Sequence, residues 1–158
     1  HEHNPFQCNL GYQVSLSGKG QWNKQSDYIG KEALEKMKQQ LKNGEKPYKL
    51  QLVGLELAGG KPIEDYANDF WLISNGNGGK PVGYITSPWY HPEKKKNIAM
   101  GYVPFEGNLS SNGFPIGNFG KEYKIHLPKK YSNKPVDAVV VPIPFTESFN
   151  PNTREVKK

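Results

Sequence analysis

From Tyr48 onward, apolar residues return at every second position in a succession of short runs, each closed by Gly, Pro or Asn. Tyr48, Leu50 and Leu52 alternate with Lys49 and Gln51, and Leu55 and Leu57 continue on the opposite parity after Val53-Gly54. Period two is the signature of a strand with one buried face, and a glycine at a change of phase predicts a bulge or bend there. Trp71-Leu72-Ile73 and Val82 to Thr86 flank Asn75-Gly76-Asn77-Gly78-Gly79, which predicts a hairpin. Asn97 to Val103 and Glu122 to Leu127 read as further strands. In Lys134 to Phe145 the prolines predict a strand leaving the sheet edge. Short strands at these intervals suit a small antiparallel β-barrel or a sandwich.

Before Pro47 the pattern is different. Leu10, Tyr12, Val14 and Leu16 alternate as in a strand. The segment SDYIGKEALEKMKQQLKNG predicts a helix opened by Ser26 and Asp27 and stopped at Gly44, with Ala33, Leu34, Met37 and Leu41 on one stripe. Glu32 and Lys36 attract at i, i+4, whereas Lys38 and Lys42 repel. A strand and a helix cannot make a core of their own. The expected class is therefore mainly β with one helix near the N-terminus, the chain dividing near residue 47 into a strand-and-helix segment and a small antiparallel β-barrel or sandwich over residues 48–158.

Composition narrows the function classes. The chain has 158 residues, a net charge of +6, 17 Gly and 13 Pro, and a mean hydropathy of −0.77. The lysines are spread along it, apart from Lys94-Lys95-Lys96, and neither an RNA-recognition signature nor zinc-finger spacing is present, so a nucleic-acid partner is not expected. The longest apolar run, Ala138 to Phe145, is too short to span a bilayer and holds two prolines, so no membrane partner is expected either. The single cysteine, Cys8, cannot form an internal disulfide; it reads as a small buried hydrophobe in a cytoplasmic protein.

No catalytic constellation stands out. GxSxG, P-loop, HExxH and CxxC patterns are absent. His1-Glu2-His3 would bind a metal only with a third ligand, so neither a metal nor a catalytic residue is assigned. Glu64, Asp65 and Asp69 read as a solvated turn. The most suggestive stretch is TSPWYHPEKKKNIAM, with a tight loop expected over Ser87 to Pro92. Trp89, Tyr90 and His91 there could form a stacking wall for a flat ring, with the lysines meeting a carboxylate tail, or the two aromatics could plug the barrel end.

Four stretches in register resemble the C-terminal third of the glycine-cleavage T-protein superfamily of folate-dependent aminomethyltransferases. They are Asp27 to Leu34 (DYIGKEAL), Lys49 to Leu57, Gly79 to Val103, and Pro135 to Phe145. Pro5 to Tyr12 resembles the family's Pro-x-Glu-Ala-Gly-Leu-Gly-aromatic stretch, with Gln7, Cys8 and Asn9 in place of Glu-Ala-Gly. The resemblance implies that residues 1–47 are the tail of a central α+β folate-binding domain and residues 48–158 a C-terminal β-barrel domain. Together they would be a C-terminal fragment of a one-carbon transferase, not catalytic alone, that closes a tetrahydrofolate cleft lined by Trp89, Tyr90 and His91. It implies as partners the preceding domains of the same protein, folate, a small methylamine or methyl donor, and a lipoyl carrier protein. A folate-dependent demethylase, a dimethylglycine- or sarcosine-oxidising relative, and a non-enzymatic barrel module binding an anionic ligand or a protein are the alternatives.

Overall fold

The computed structural model describes residues 3–14, 28–65, 67–76, 79–110 and 113–146. Its centre is a closed, wholly antiparallel barrel of six strands: β1 (Leu50–Ala58), β2 (Trp71–Ser74), β3 (Pro81–His91), β4 (Lys96–Pro104), β5 (Glu122–Ile125) and β6 (Val136–Val141). The order around the barrel is β1-β4-β3-β2-β5-β6, and β6 closes on β1. Closure leaves no open edge for β6 to leave, since it pairs with both β5 and β1; its prolines, Pro142 and Pro144, follow its last residue, where the chain departs from the barrel.

The barrel is filled by Val53, Leu55, Leu57, Ile73, Ile85, Val103, Ile125 and Val140, all almost fully buried. On β1 the inward set is Gln51, Val53, Leu55 and Leu57. The parity does not switch at Gly54, and the register with β4 runs unbroken from Leu50 to Leu57, so the expected bulge is absent. Leu50 and Leu52 instead face outward and are half-covered, while a polar residue, Gln51, takes the inward position. Two shifts in register do occur, at Ile73/Ser74 and at Ile85/Ser87.

The second shift explains a further departure. Ser87 to His91 is not a tight loop but the second half of β3, paired with β4 through His91↔Lys96. Pro88 is tolerated because β2 pairs with β3 only as far as Ile85, so the missing N–H falls where no strand needs it. The tight turn lies later, at residues 92–95, between β3 and β4.

A satellite cluster sits at one end of the barrel. Phe6, Tyr48 and Phe105 form its buried centre, with Val14, Leu34, Met37, Leu41 and Leu109 packed against it. The helix α1 (Lys31–Lys42) contributes three of these; Ala33, expected on the same stripe, is exposed. Ser26 and Asp27, its expected start, lie outside the described residues. Gly30, at φ +91, precedes the first helical residue, and Gly44, at φ +76, ends the chain's helical path as expected. Leu10 to Val14 is not a strand: Gly11–Gln13 forms a 3-10 turn, and Leu10 and Tyr12 are exposed.

Candidate functional site

The outward face of β1, β4, β3 and β2 carries a cross-strand row, Leu52–Tyr102–Tyr84–Leu72. The rings of Tyr84 and Tyr102 lie 5.4 Å apart, tilted by 37°. Phe70, 68% exposed, sets its ring 5.0 Å from Tyr84. Gly83 and Gly101 make this close pairing possible: a Cβ on Gly83 would run into the Tyr102 carbonyl oxygen, and one on Gly101 would lie 2.7 Å from the Tyr84 oxygen.

The N-terminal segment borders the row. The His3 ring lies 4.6 Å from that of Tyr102, and its Nε2 is 3.3 Å from the Tyr84 hydroxyl. Cys8 Sγ is 3.5 Å from the Tyr102 hydroxyl. Cys8 is thus half-buried against a phenol, not sunk in the core as expected. Burial, followed by the neighbouring thiol, pushes the Tyr102 phenol above the ordinary tyrosine range, so it is a neutral hydrogen-bonding group at physiological pH. His1 and Glu2 lie outside the described residues, as therefore does the rest of the His-Glu-His reading. Among the described residues no group of three or more His, Cys, Asp or Glu could hold a metal.

Of the residues singled out in the sequence, Trp89 shares the outward face, two rungs from Tyr84, and is 47% exposed; it does not plug the barrel end. Tyr90 has the parity of buried Pro88, is half-buried, and its backbone N–H donates to Ile63 at 2.9 Å. His91 uses Nδ1 to accept the N–H of Lys94 at 3.3 Å, which stabilises the β3–β4 turn. The three therefore do not converge into one wall. Lys94 and Lys96 are not waiting for a carboxylate tail either: both grip Glu56 of β1, at 2.6 and 3.3 Å. The hydrogen bond from Lys94, then that from Lys96, holds the Glu56 carboxyl below the usual range. In the loop of Glu64, Asp65 and Asp69, Asp65 accepts from Lys130 at 2.7 Å and from the Tyr131 hydroxyl at 3.2 Å, and all three acids are exposed.

Tyr84 and Tyr102 were missed in the sequence, although the alternation held the signal. In GYIT and MGYV each tyrosine has the parity opposite to the inward Ile85 and Val103, which makes it an outward aromatic beside a strand glycine.

The sequence and the fold have counterparts in known proteins. The family described as the glycine cleavage T-protein C-terminal barrel domain matches residues 51–146. An aminomethyltransferase of Desulforamulus reducens is 33% identical over 142 residues, 89% of this chain and 30% of that protein. One from Symbiobacterium thermophilum is 35% identical over 104 residues, 65% of this chain and 23% of that protein. The mitochondrial dimethylglycine dehydrogenase of Homo sapiens is 32% identical over 120 residues, 76% of this chain and 12% of that protein. The crystal structure of the glycine cleavage system aminomethyltransferase T from Bartonella henselae shares the fold, with a TM-score of 0.57 and 22% identity over 98% of this chain and 34% of that one. The chain thus spans about a third or less of the length of these relatives. With its closed barrel matched from Gln51 to Thr146, the chain belongs to the glycine cleavage T-protein C-terminal barrel domain family.

Proposed function

We propose that this chain acts as the C-terminal portion of a tetrahydrofolate-dependent aminomethyltransferase-like enzyme, which moves an aminomethyl or methyl carbon onto folate. In this reading residues 1–47 are the tail of the preceding domain, and the barrel supplies a wall of the cleft without a catalytic group. The observation that carries the reading is the half-exposed aromatic row on the outward sheet face. A flat ring system laid against such a face gains stacking and desolvation, and this chemistry fits the pterin and benzoyl rings of folate. Tetrahydrofolate, when bound, supplies the nitrogen that accepts the carbon. Tyr84 and Tyr102 hold and orient a ring and exclude water from it, while Trp89, on the same face two rungs along β3, extends that wall toward the mouth of the cleft. Tyr90 and His91 support it from the opposite face and the adjoining turn. Holding two reactants in register lowers the barrier mainly through orientation.

The donor, the preceding domains and a lipoyl carrier protein are partners under the same proposal. Among the described residues no helix is long and apolar enough to cross a membrane, and the lone cysteine accords with a cytoplasmic setting. The similarity to dimethylglycine dehydrogenase favours, as a second reading, an amine-oxidising relative that uses the same folate chemistry.

The test is titration with tetrahydrofolate, first of the chain alone and then of a chimera in which it replaces the matching region of the Desulforamulus reducens protein. Weak binding alone is expected, together with an active chimera whose KM for tetrahydrofolate rises about tenfold on Tyr102→Ala while kcat changes little. Tight binding by the chain alone would sink the claim that the main pocket is supplied elsewhere. An inactive but folded chimera would remove the transferase reading.

A further inference from the structure

A second recess lies away from the aromatic row, where the N-terminal turn, α1 and the loop after β4 meet. It is an open cleft of about 300 Å³, lined by Phe6, Gly11, Lys38, Leu41, Lys42, Leu109, Ser110 and Gly113. Its floor is the outer side of the satellite cluster, since Phe6, Leu41 and Leu109 belong to both. The two glycines shape it. A Cβ on Gly11 would lie 2.9 Å from Phe6 Cδ1, so only glycine leaves the ring flush with the wall; a Cβ on Gly113 would lie 3.6 Å from the Gly11 Cα, where the two backbones close one end.

Lys38 and Lys42 stand one turn apart on the helix wall. The ion pairs among the described residues engage Lys46, Lys94, Lys96, Lys124 and Lys130, and neither the Lys38 nor the Lys42 ammonium has an ion pair or side-chain hydrogen bond there. Like charges at i, i+4 repel, and an anion placed between them would relieve that repulsion. We propose that this cleft binds a small organic anion with a flat apolar body, an aromatic carboxylate. Its ring rests on Phe6, Leu41 and Leu109, and its carboxylate lies between the two ammonium groups. The volume is at the lower bound for ligand pockets, which suits one or two fused rings. The inference does not rest on the folate reading, because neither Tyr84 nor Tyr102 lines this cleft.

The probe is 2-naphthoate, titrated into the full chain and followed by amide chemical shifts. Saturable shifts at Gly11, Lys38, Lys42 and Gly113 are expected. Binding should weaken several-fold between low salt and about 0.5 M salt. Lys38→Gln combined with Lys42→Gln should raise Kd about tenfold, with the unfolding midpoint preserved because glutamine has nearly the same helix propensity as lysine. 2-Naphthylmethanol, with the body but no charge, and acetate, with the charge but no body, should each bind at least about tenfold more weakly. Shifts that centre on Tyr84 and Tyr102, no saturable shifts at all, equal binding by the double variant, or equal binding of naphthylmethanol would each overturn the proposal.

Discussion

Asn9 has φ +60, a left-handed conformation that suits glycine, and stands where the resembled family carries glycine. Asparagine tolerates this region and here also uses its side chain. Its Oδ1 accepts from Gln51 Nε2 at 2.7 Å, and its Nδ2 donates to the Leu52 carbonyl at 3.0 Å. Gln51 is fully buried and donates as well to the Gln7 carbonyl at 2.9 Å. Asn9 thus fastens the N-terminal segment to β1 and helps satisfy a buried amide. Asn9→Ala should cost about 2–3 kcal/mol, since it adds left-handed strain to the loss of both side-chain bonds, whereas Asn9→Gly should cost about 1 kcal/mol, since it loses only the bonds. Urea unfolding of the two variants checks the order; an alanine variant as stable as the glycine variant would refute it. Asn97 does the same work at the other end of β4. It accepts the Ile63 N–H at 3.0 Å and donates to the Gly59 and Lys61 carbonyls at 3.2 and 3.0 Å. Nothing in the sequence pattern distinguished it from an ordinary strand residue, because its partners lie more than thirty positions away.

At the scale of elements, the strands were legible because period two survives wherever one face is buried; β4, β5 and the start of β3 fall where the alternation put them. The far half of β3 was not legible. The register shift at Ile85/Ser87 breaks the parity, and Pro88 reads as a stop unless the lack of a β2 partner there is known. The misreading carried over to the candidate site, since Trp89 and Tyr90 point to opposite faces of a strand instead of lining one loop. The β3–β4 turn is held to β1 by Glu56, whose carboxyl titrates below its unfolded value. Between those two values the unfolded chain binds more protons than the folded one. The stabilisation is therefore present above the unfolded value of about 4.3 and is lost as the pH falls through the folded value. Glu56→Gln should flatten the acid limb of the stability–pH curve below about pH 5, and an unchanged limb would contradict this. The helix α1 rests on half-buried Leu34, Met37 and Leu41 without a side-chain N-cap. Leu41→Ala should cost about 1–2 kcal/mol, less than a fully buried leucine, and should speed amide exchange in α1 while β1 and β4 keep their protection.

At the scale of the whole molecule, the two hydrophobic clusters divide the labour. The barrel cluster draws on all six strands and closes on itself, whereas the satellite cluster has three buried residues, one from the N-terminal turn and two from the flanks of the barrel. A chain reduced to residues 48–146 would keep every barrel strand and the β1–β6 closure. It would also uncover Tyr48 and Phe105, whose rings stack 4.6 Å apart, and deprive Gln51 of its acceptors on Gln7 and Asn9. Exposing two aromatic rings and breaking the two shortest hydrogen bonds of the Gln51 amide should cost about 3 kcal/mol. For a domain of this size that lowers Tm by about 10–20 °C. The truncated barrel should therefore still unfold in one cooperative transition, at a lower midpoint, and circular dichroism with calorimetry would show both. Gln51→Leu should recover part of the loss in the truncated barrel, where the amide nitrogen keeps only its longer bond to the Leu52 carbonyl, but destabilise the full chain, where that nitrogen is held by Gln7 and Asn9. A truncated chain with no cooperative transition would mean that the N-terminal segment and helix are integral to the barrel, and the proposed boundary near residue 47 would fall.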